Sequence, residues 1–118
     1  MREVIIEIPY PPTVNTYWRY VGGRPLISRK GREYRKSVGE TLCLQRLETL
    51  EGELEVDIRL HPPDRRKRDV DNTSKAILDS LAHGGLFADD SQVRRLSIER
   101  CEVVSGGLAV VMVRELGA

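Results

Sequence analysis

The sequence predicts a single α/β domain of the α+β kind, a mixed sheet of about four strands packed with two main helices in the order β-α-β-α-β-β. Three observations carry this. Glu53 to Leu60 alternates polar and apolar residues strictly, the pattern of a strand with one solvated face. Tyr34, Val38 and Leu42 recur at helical spacing. Finally, 118 residues, 40% hydrophobic and 31% charged, suffice for one modest core, so residues 1–118 are expected to form one domain.

Taken in order, Glu3 to Ile8 is a strand rich in β-branched residues, ended by Pro9. Pro11 and Pro12 bar regular structure at once, and Tyr17, Trp18 and Tyr20 before Gly22-Gly23 read as a loop carrying most of the aromatic residues. A helix is expected from Lys30 or Gly31 to about Leu50. Leu44, Leu47 and Leu50 lie off its main stripe, which implies burial on more than one side and allows a second subunit there. The strand Glu53–Leu60 stops at Pro62-Pro63. Asp69 to Asp71 is expected to be extended, with Asp71 or Asn72 capping a helix that Gly84-Gly85 closes. Gln92 to Val104 and Leu108 to Arg114 read as two strands joined as a hairpin by Ser105-Gly106-Gly107.

Composition narrows the function. A net charge of +1 excludes a general polycation, although positive charge is concentrated at Arg65-Arg66-Lys67-Arg68 and again at Arg94-Arg95. Cys43 and Cys101 lack metal-ligand spacing and read as two packed free thiols, and His61 and His83 as ordinary residues. The apolar run at Val4–Ile8 is too short for a signal peptide, and no segment has the roughly 20 apolar residues of a membrane span; a cytoplasmic protein is expected.

The most informative stretch is Asp69-Val70-Asp71-Asn72-Thr73-Ser74-Lys75, followed by Asp89-Asp90. Residues i and i+2 of an extended segment point to one side, so Asp69 and Asp71 can share a site; Asp71, Lys75 and Asp79 then form one helix face. Caps and turns use the same residue types. Gathered carboxylates, however, repel unless a cation compensates, and oxygen-only ligands favour Mg²⁺ or Mn²⁺. Such an ion beside a lysine suits phosphodiester hydrolysis. The basic run Arg65, Arg66, Lys67, Arg68 suits phosphate-backbone contact, and Tyr17 and Trp18 suit stacking on unpaired bases as well as ordinary packing.

Spaced motifs run the length of the chain: Pro11-Pro12-Thr13-Val14-Asn15, the Ser-x-x-Gly-x-x-Tyr-Arg at Ser28 to Arg35, and Pro63-Asp64-Arg65-Arg66-Lys67-Arg68-Asp69-Val70-Asp71-Asn72, then Lys75, Asp79 and Asp89-Asp90-Ser91-Gln92. In this order and spacing the chain resembles the RusA Holliday junction resolvases, small endodeoxyribonucleases of prophages and bacteria. The resemblance implies a homodimer that nicks two strands of a four-way DNA junction symmetrically, needing Mg²⁺ and no small-molecule cofactor. It implies that Asp69, Asp71 and Asp90 hold the metal, with Asp89 a less certain ligand, Lys75 the essential lysine and Asp79 a supporting residue. A catalytically silent branched-DNA binder and a metal-dependent phosphohydrolase on other nucleic acids remain the alternatives.

Overall fold

A computed structural model describes residues 2–117 and contains the expected order of main elements. Strand β1 is Glu3–Ile8, and the short helix α1 is Val14–Tyr17. Strands β2 (Trp18–Val21) and β3 (Arg24–Ile27) follow, then helix α2 (Arg29–Gln45) and strand β4 (Leu54–His61). Helix α3 is Ser74–His83, and a turn of 3₁₀ helix at Asp90–Gln92 leads into β5 (Val93–Arg100) and β6 (Leu108–Glu115).

The main sheet has the order β1-β6-β4-β5. Strand β6 is antiparallel to both β1 and β4, whereas β4 and β5 are parallel. This corrects the expected hairpin between the last two strands: β4 lies between them. A parallel pair requires a crossover connection, and α3 supplies it. Beyond β5 the chain continues alongside the end of β4, with Cys101 N–H donating to Leu60 O (2.7 Å) and Val104 N–H to Pro62 O (3.0 Å). Only then do Ser105-Gly106-Gly107 turn it toward β6. Strand β4 takes the centre because one side of it is wholly apolar: Leu54, Val56, Ile58 and Leu60 are all buried.

These residues, with Ile6, Ile8, Val111 and Val113 from the neighbouring strands, face α2 and α3 across one core. Helix α2 presents Tyr34, Val38 and Leu42, and α3 presents Ile77 and Leu81, all buried. Each such side chain contributes about 1.5–3 kcal/mol on leaving water. Helix α2 ends five residues earlier than expected. Arg46 adopts a left-handed conformation (φ 51°) at its C-terminus, and Leu50 reaches the core from outside the helix. The broad apolar helix surface therefore dissolves into a regular stripe, leaving Leu44 exposed at 84%.

The opposite sheet face carries charge. Glu55, 8% exposed, accepts from Arg95 (2.9 Å) and from Arg114, and these two guanidinium groups hold its carboxyl below the ordinary carboxylate range. Cys43 is exposed and Cys101 half-buried; both are free thiols, so the expected packing holds for neither fully. Among the described residues no helix is long and apolar enough to cross a membrane.

At the end of β6 Arg2 donates to Glu115 (2.8 Å), which also accepts from the Glu51 backbone (2.8 Å); together they lower the Glu115 carboxyl to about 2. A depressed carboxylate stabilises the fold above its ordinary value and ceases to do so as pH falls through its folded value. The Glu115 contribution is expected to fade from about pH 4.5 to about 2. Thermal melting across that range checks this: Glu115→Gln should flatten the acid limb, and an unaltered limb would contradict the assignment.

Candidate nucleic-acid cleft and carboxylate site

The residues of the Ser-x-x-Gly-x-x-Tyr-Arg motif each hold the framework of the site. Ser28 caps α2 by accepting from Gly31 N–H (2.9 Å) and donates to Thr16 O (2.5 Å). Gly31 is required because a Cβ there would lie 2.5 Å from Tyr17 O. Tyr34 donates to Pro9 O (2.8 Å), and burial raises its phenol above the usual range. Arg35 donates to Asp79 through Nη2 (2.6 Å) and Nε (2.9 Å), and to the Tyr17 hydroxyl (2.9 Å).

Tyr17 itself donates to Asp79 and is wholly buried. Burial first, and the Asp79 carboxylate second, push its phenol upward. Tyr17 is therefore an anchor rather than a base-stacking group. Trp18 is half-buried, edge-on to it with ring centroids 5.2 Å apart. Asp79 is correspondingly a structural tie between α3, α2 and α1.

The Pro-Pro-x-x-Asn segment docks onto the aspartate motif: Val14 N–H donates to Asn72 O (2.8 Å). Between them lies a cleft of about 610 Å³. Its wall includes Lys30, Arg66, Lys67 and Arg68, with Asp69 the sole carboxylate among the lining residues. Phosphate oxygens match such a wall. Lys30 was not anticipated as a cleft residue; it appears in sequence only as a helix start, and its place depends on docking of the first loop. Arg65 is exposed and is not among the lining residues.

Arg68 is committed internally. Its guanidinium donates to Asp64 (2.6 Å) and lies 5.8 Å from the centre of the Tyr10 ring. With help from the Arg66 backbone N–H, it lowers the Asp64 carboxyl to about 2. Arg68 thus braces the basic loop, while Arg66 and Lys67 present their charge more openly.

The expected helix face is partly corrected. Helix α3 starts at Ser74 after Thr73, so Asp71 and Asn72 form a turn before it, and neither caps it with a side chain. Thr73 Oγ1 instead donates to Val70 O (2.8 Å). Asp69, Val70 and Asp71 run through coil, bend and turn rather than a strand. Lys75 and Asp90 do meet: Nζ lies 3.1 Å from Oδ2. Asp90 reaches this place on an arm pinned by buried Leu86 and Phe87 and by Gln92, whose side chain accepts from Ala88 N–H (2.9 Å) and Asp89 N–H (3.0 Å). Asp89 caps the 3₁₀ turn, accepting from Ser91, whose hydroxyl lowers its carboxyl.

Among the described residues no three His, Cys, Asp or Glu side chains are gathered into a group that could hold a metal. The donor chemistry nonetheless fits a hard cation, with carboxylates at Asp69, Asp71 and Asp90 and the buried Oδ1 of Asn72, which has no hydrogen-bond partner.

The small α+β scaffold thus carries a basic cleft that contains Asp69 and, outside the lining of that cleft, the pair Lys75–Asp90. The family model Endodeoxyribonuclease RusA matches residues 9–114. The chain is 38% identical over 117 residues to Crossover junction endodeoxyribonuclease rusA of Enterobacteria phage HK97, covering 98% of both chains. It is 35% identical over 118 residues to Crossover junction endodeoxyribonuclease RusA of Escherichia coli (strain K12), and 36% identical over 118 residues to that of Enterobacteria phage 82, covering 99% of this chain and 98% of each relative. The chain belongs to the RusA endodeoxyribonuclease family.

Proposed function

We propose that this chain, acting over residues 1–118 as one endonuclease domain in the cytoplasm, resolves four-way DNA junctions. It works as a homodimer and makes paired symmetric nicks. The observation that carries this reading is the placement of Asp69 in a cleft whose other charged wall residues are cationic. The names of its relatives supply the substrate class.

In this reading Lys30, Arg66 and Lys67 receive the phosphate backbone, Arg65 extends that contact outside the cleft, and Arg68 adds charge while holding the loop in shape. Asp69, Asp71 and Asp90 would hold Mg²⁺, with Mn²⁺ able to substitute, once the cation draws their carboxylates together. Asp89 is the less certain ligand because its carboxylate already serves as a cap. The bound cation would polarise an attacking water and offset charge on the phosphate. Lys75 remains beside Asp90 and stabilises negative charge on the scissile phosphate or leaving group.

Substitution of the two open cleft cations provides a direct test. Arg66→Ala with Lys67→Ala should reduce the dependence of log affinity on log salt by about 2, one for each lost phosphate contact. Titration of the duplex arms of a junction at several salt concentrations measures this; an unchanged slope would place the DNA path elsewhere.

A further inference from the structure

The segment between Pro9 and Arg32 contains Arg19, Arg24, Arg29, Lys30 and Arg32 and no acidic residue. Its middle is not the irregular loop expected from the sequence. Strands β2 and β3 form a hairpin with Val21 opposite Arg24, joined by Gly22 and Gly23 at φ 58° and 76°. Positive φ at both central residues is the requirement of a tight two-residue turn and the reason two glycines serve there.

A lone two-stranded ribbon has little stability of its own. This one is secured at its root. Buried Tyr17 precedes it, Ser28 N–H returns to Tyr17 O (2.9 Å), and Gly31 allows α2 to pack directly against that carbonyl. Trp18 and Ile27 face each other at the root and pack on the core. Tyr20, two residues farther along the same side, is 72% exposed; Val21 and Leu26 on the other side are 51% and 42% exposed.

The apolar tip therefore has no covering within the described residues, yet its base is firmly placed. Arg19 and Arg24 at the tip form no ion pair among the described residues. Thr16 just before the hairpin and Lys30 just after it both line the cleft that contains Asp69. A ligand reaching the tip from that cleft must be polyanionic and must offer flat apolar faces. Nucleic acid whose bases have lost their stacking partners meets both requirements. A continuous duplex offers the phosphates but keeps its base faces covered.

Resting on the proposed junction-cleaving function, we propose that the β2–β3 hairpin is a stacking finger that recognises the strand-exchange point. Tyr20 lies against a base face opened there, and Arg19 and Arg24, on the other side of the ribbon with Val21, contact flanking phosphates. The hairpin thereby selects branched over linear DNA, while the cleft selects only phosphate. Because the finger and the cleft share a root, a base seated on Tyr20 fixes which phosphate reaches Asp69.

Tyr20→Ala and Tyr20→Phe test this, since the side chain is too exposed for its removal to endanger folding. Each is titrated, in EDTA, onto a four-way junction with a fluorescent purine analogue at the exchange point, and onto a linear duplex. Tyr20→Ala should weaken junction binding about tenfold or more, in keeping with the loss of one stacked base. It should also lose the fluorescence change and leave duplex binding unaltered, whereas Tyr20→Phe keeps both junction signals. Equal junction binding and fluorescence for Tyr20→Ala and wild type would overturn the finger while leaving the cleavage function standing. A fall in mass on sedimentation of Tyr20→Ala would overturn it in favour of a subunit contact. If wild-type protein bound no junction at all, the function and the finger would fall together.

Discussion

Asp69→Asn and Asp90→Asn are each expected to preserve folding and junction binding while reducing nicking by at least about a hundredfold. Outer partners of a metal site already cost 10–100-fold on removal, and a direct ligand should cost no less. Neither residue supports the core. Asp69 is exposed in the cleft, and Asp90 makes one surface ion pair, of a kind worth at most about 1 kcal/mol. The two variants should differ in binding. Asp69→Asn removes the carboxylate from a cationic wall and should bind a junction at least as tightly as wild type. Asp90→Asn releases Lys75 from its partner without altering the cleft wall. Gel-shift titration beside a nicking time course separates binding from chemistry, and normal nicking by either variant would show that its carboxylate was wrongly assigned.

Phe87→Ala should have the largest effect on stability, a loss of about 3–5 kcal/mol. Phe87 is the only phenylalanine and is wholly buried. A domain of this kind has only about 5–15 kcal/mol in total. The substitution also bears on function, because Phe87 anchors the arm that carries Asp90 to Lys75. Phe87→Leu fills most of the space and should cost far less. Chemical denaturation measures the difference. Nicking by Phe87→Ala at low temperature should fall further than its folded fraction; activity that merely tracked the folded fraction would show that the arm needs no such anchor.

Local patterns in the sequence were legible where one periodicity ruled. Strand β1, the alternating β4 and the glycine end of α3 all fall where their residues indicate. The errors have physical causes. Asp71, Asn72, Thr73 and Ser74 are all cap-forming types, so propensity alone does not choose the first helical residue. A Gly-Gly pair between β-forming residues signals a hairpin, but Pro25 and the preceding prolines masked β3. The separation of β5 from β6 is a non-local result, settled by the claim of β4 on the centre of the sheet. The binding of Arg68 by Asp64 is an i, i−4 relation in a loop, where spacing carries no geometric rule. The cleft was legible only in halves, because the docking of Val14 on Asn72 brings Lys30 toward Asp69.

Incubation of the purified protein with a fixed four-way junction, in Mg²⁺ or in EDTA, followed by mapping of strand ends, tests the central claim most directly. The proposed function predicts paired nicks at symmetric positions in two strands of like polarity, only with the divalent cation and not on a linear duplex of the same sequence. An uncut junction that is nevertheless bound, or equal cleavage of junction and duplex, would contradict it.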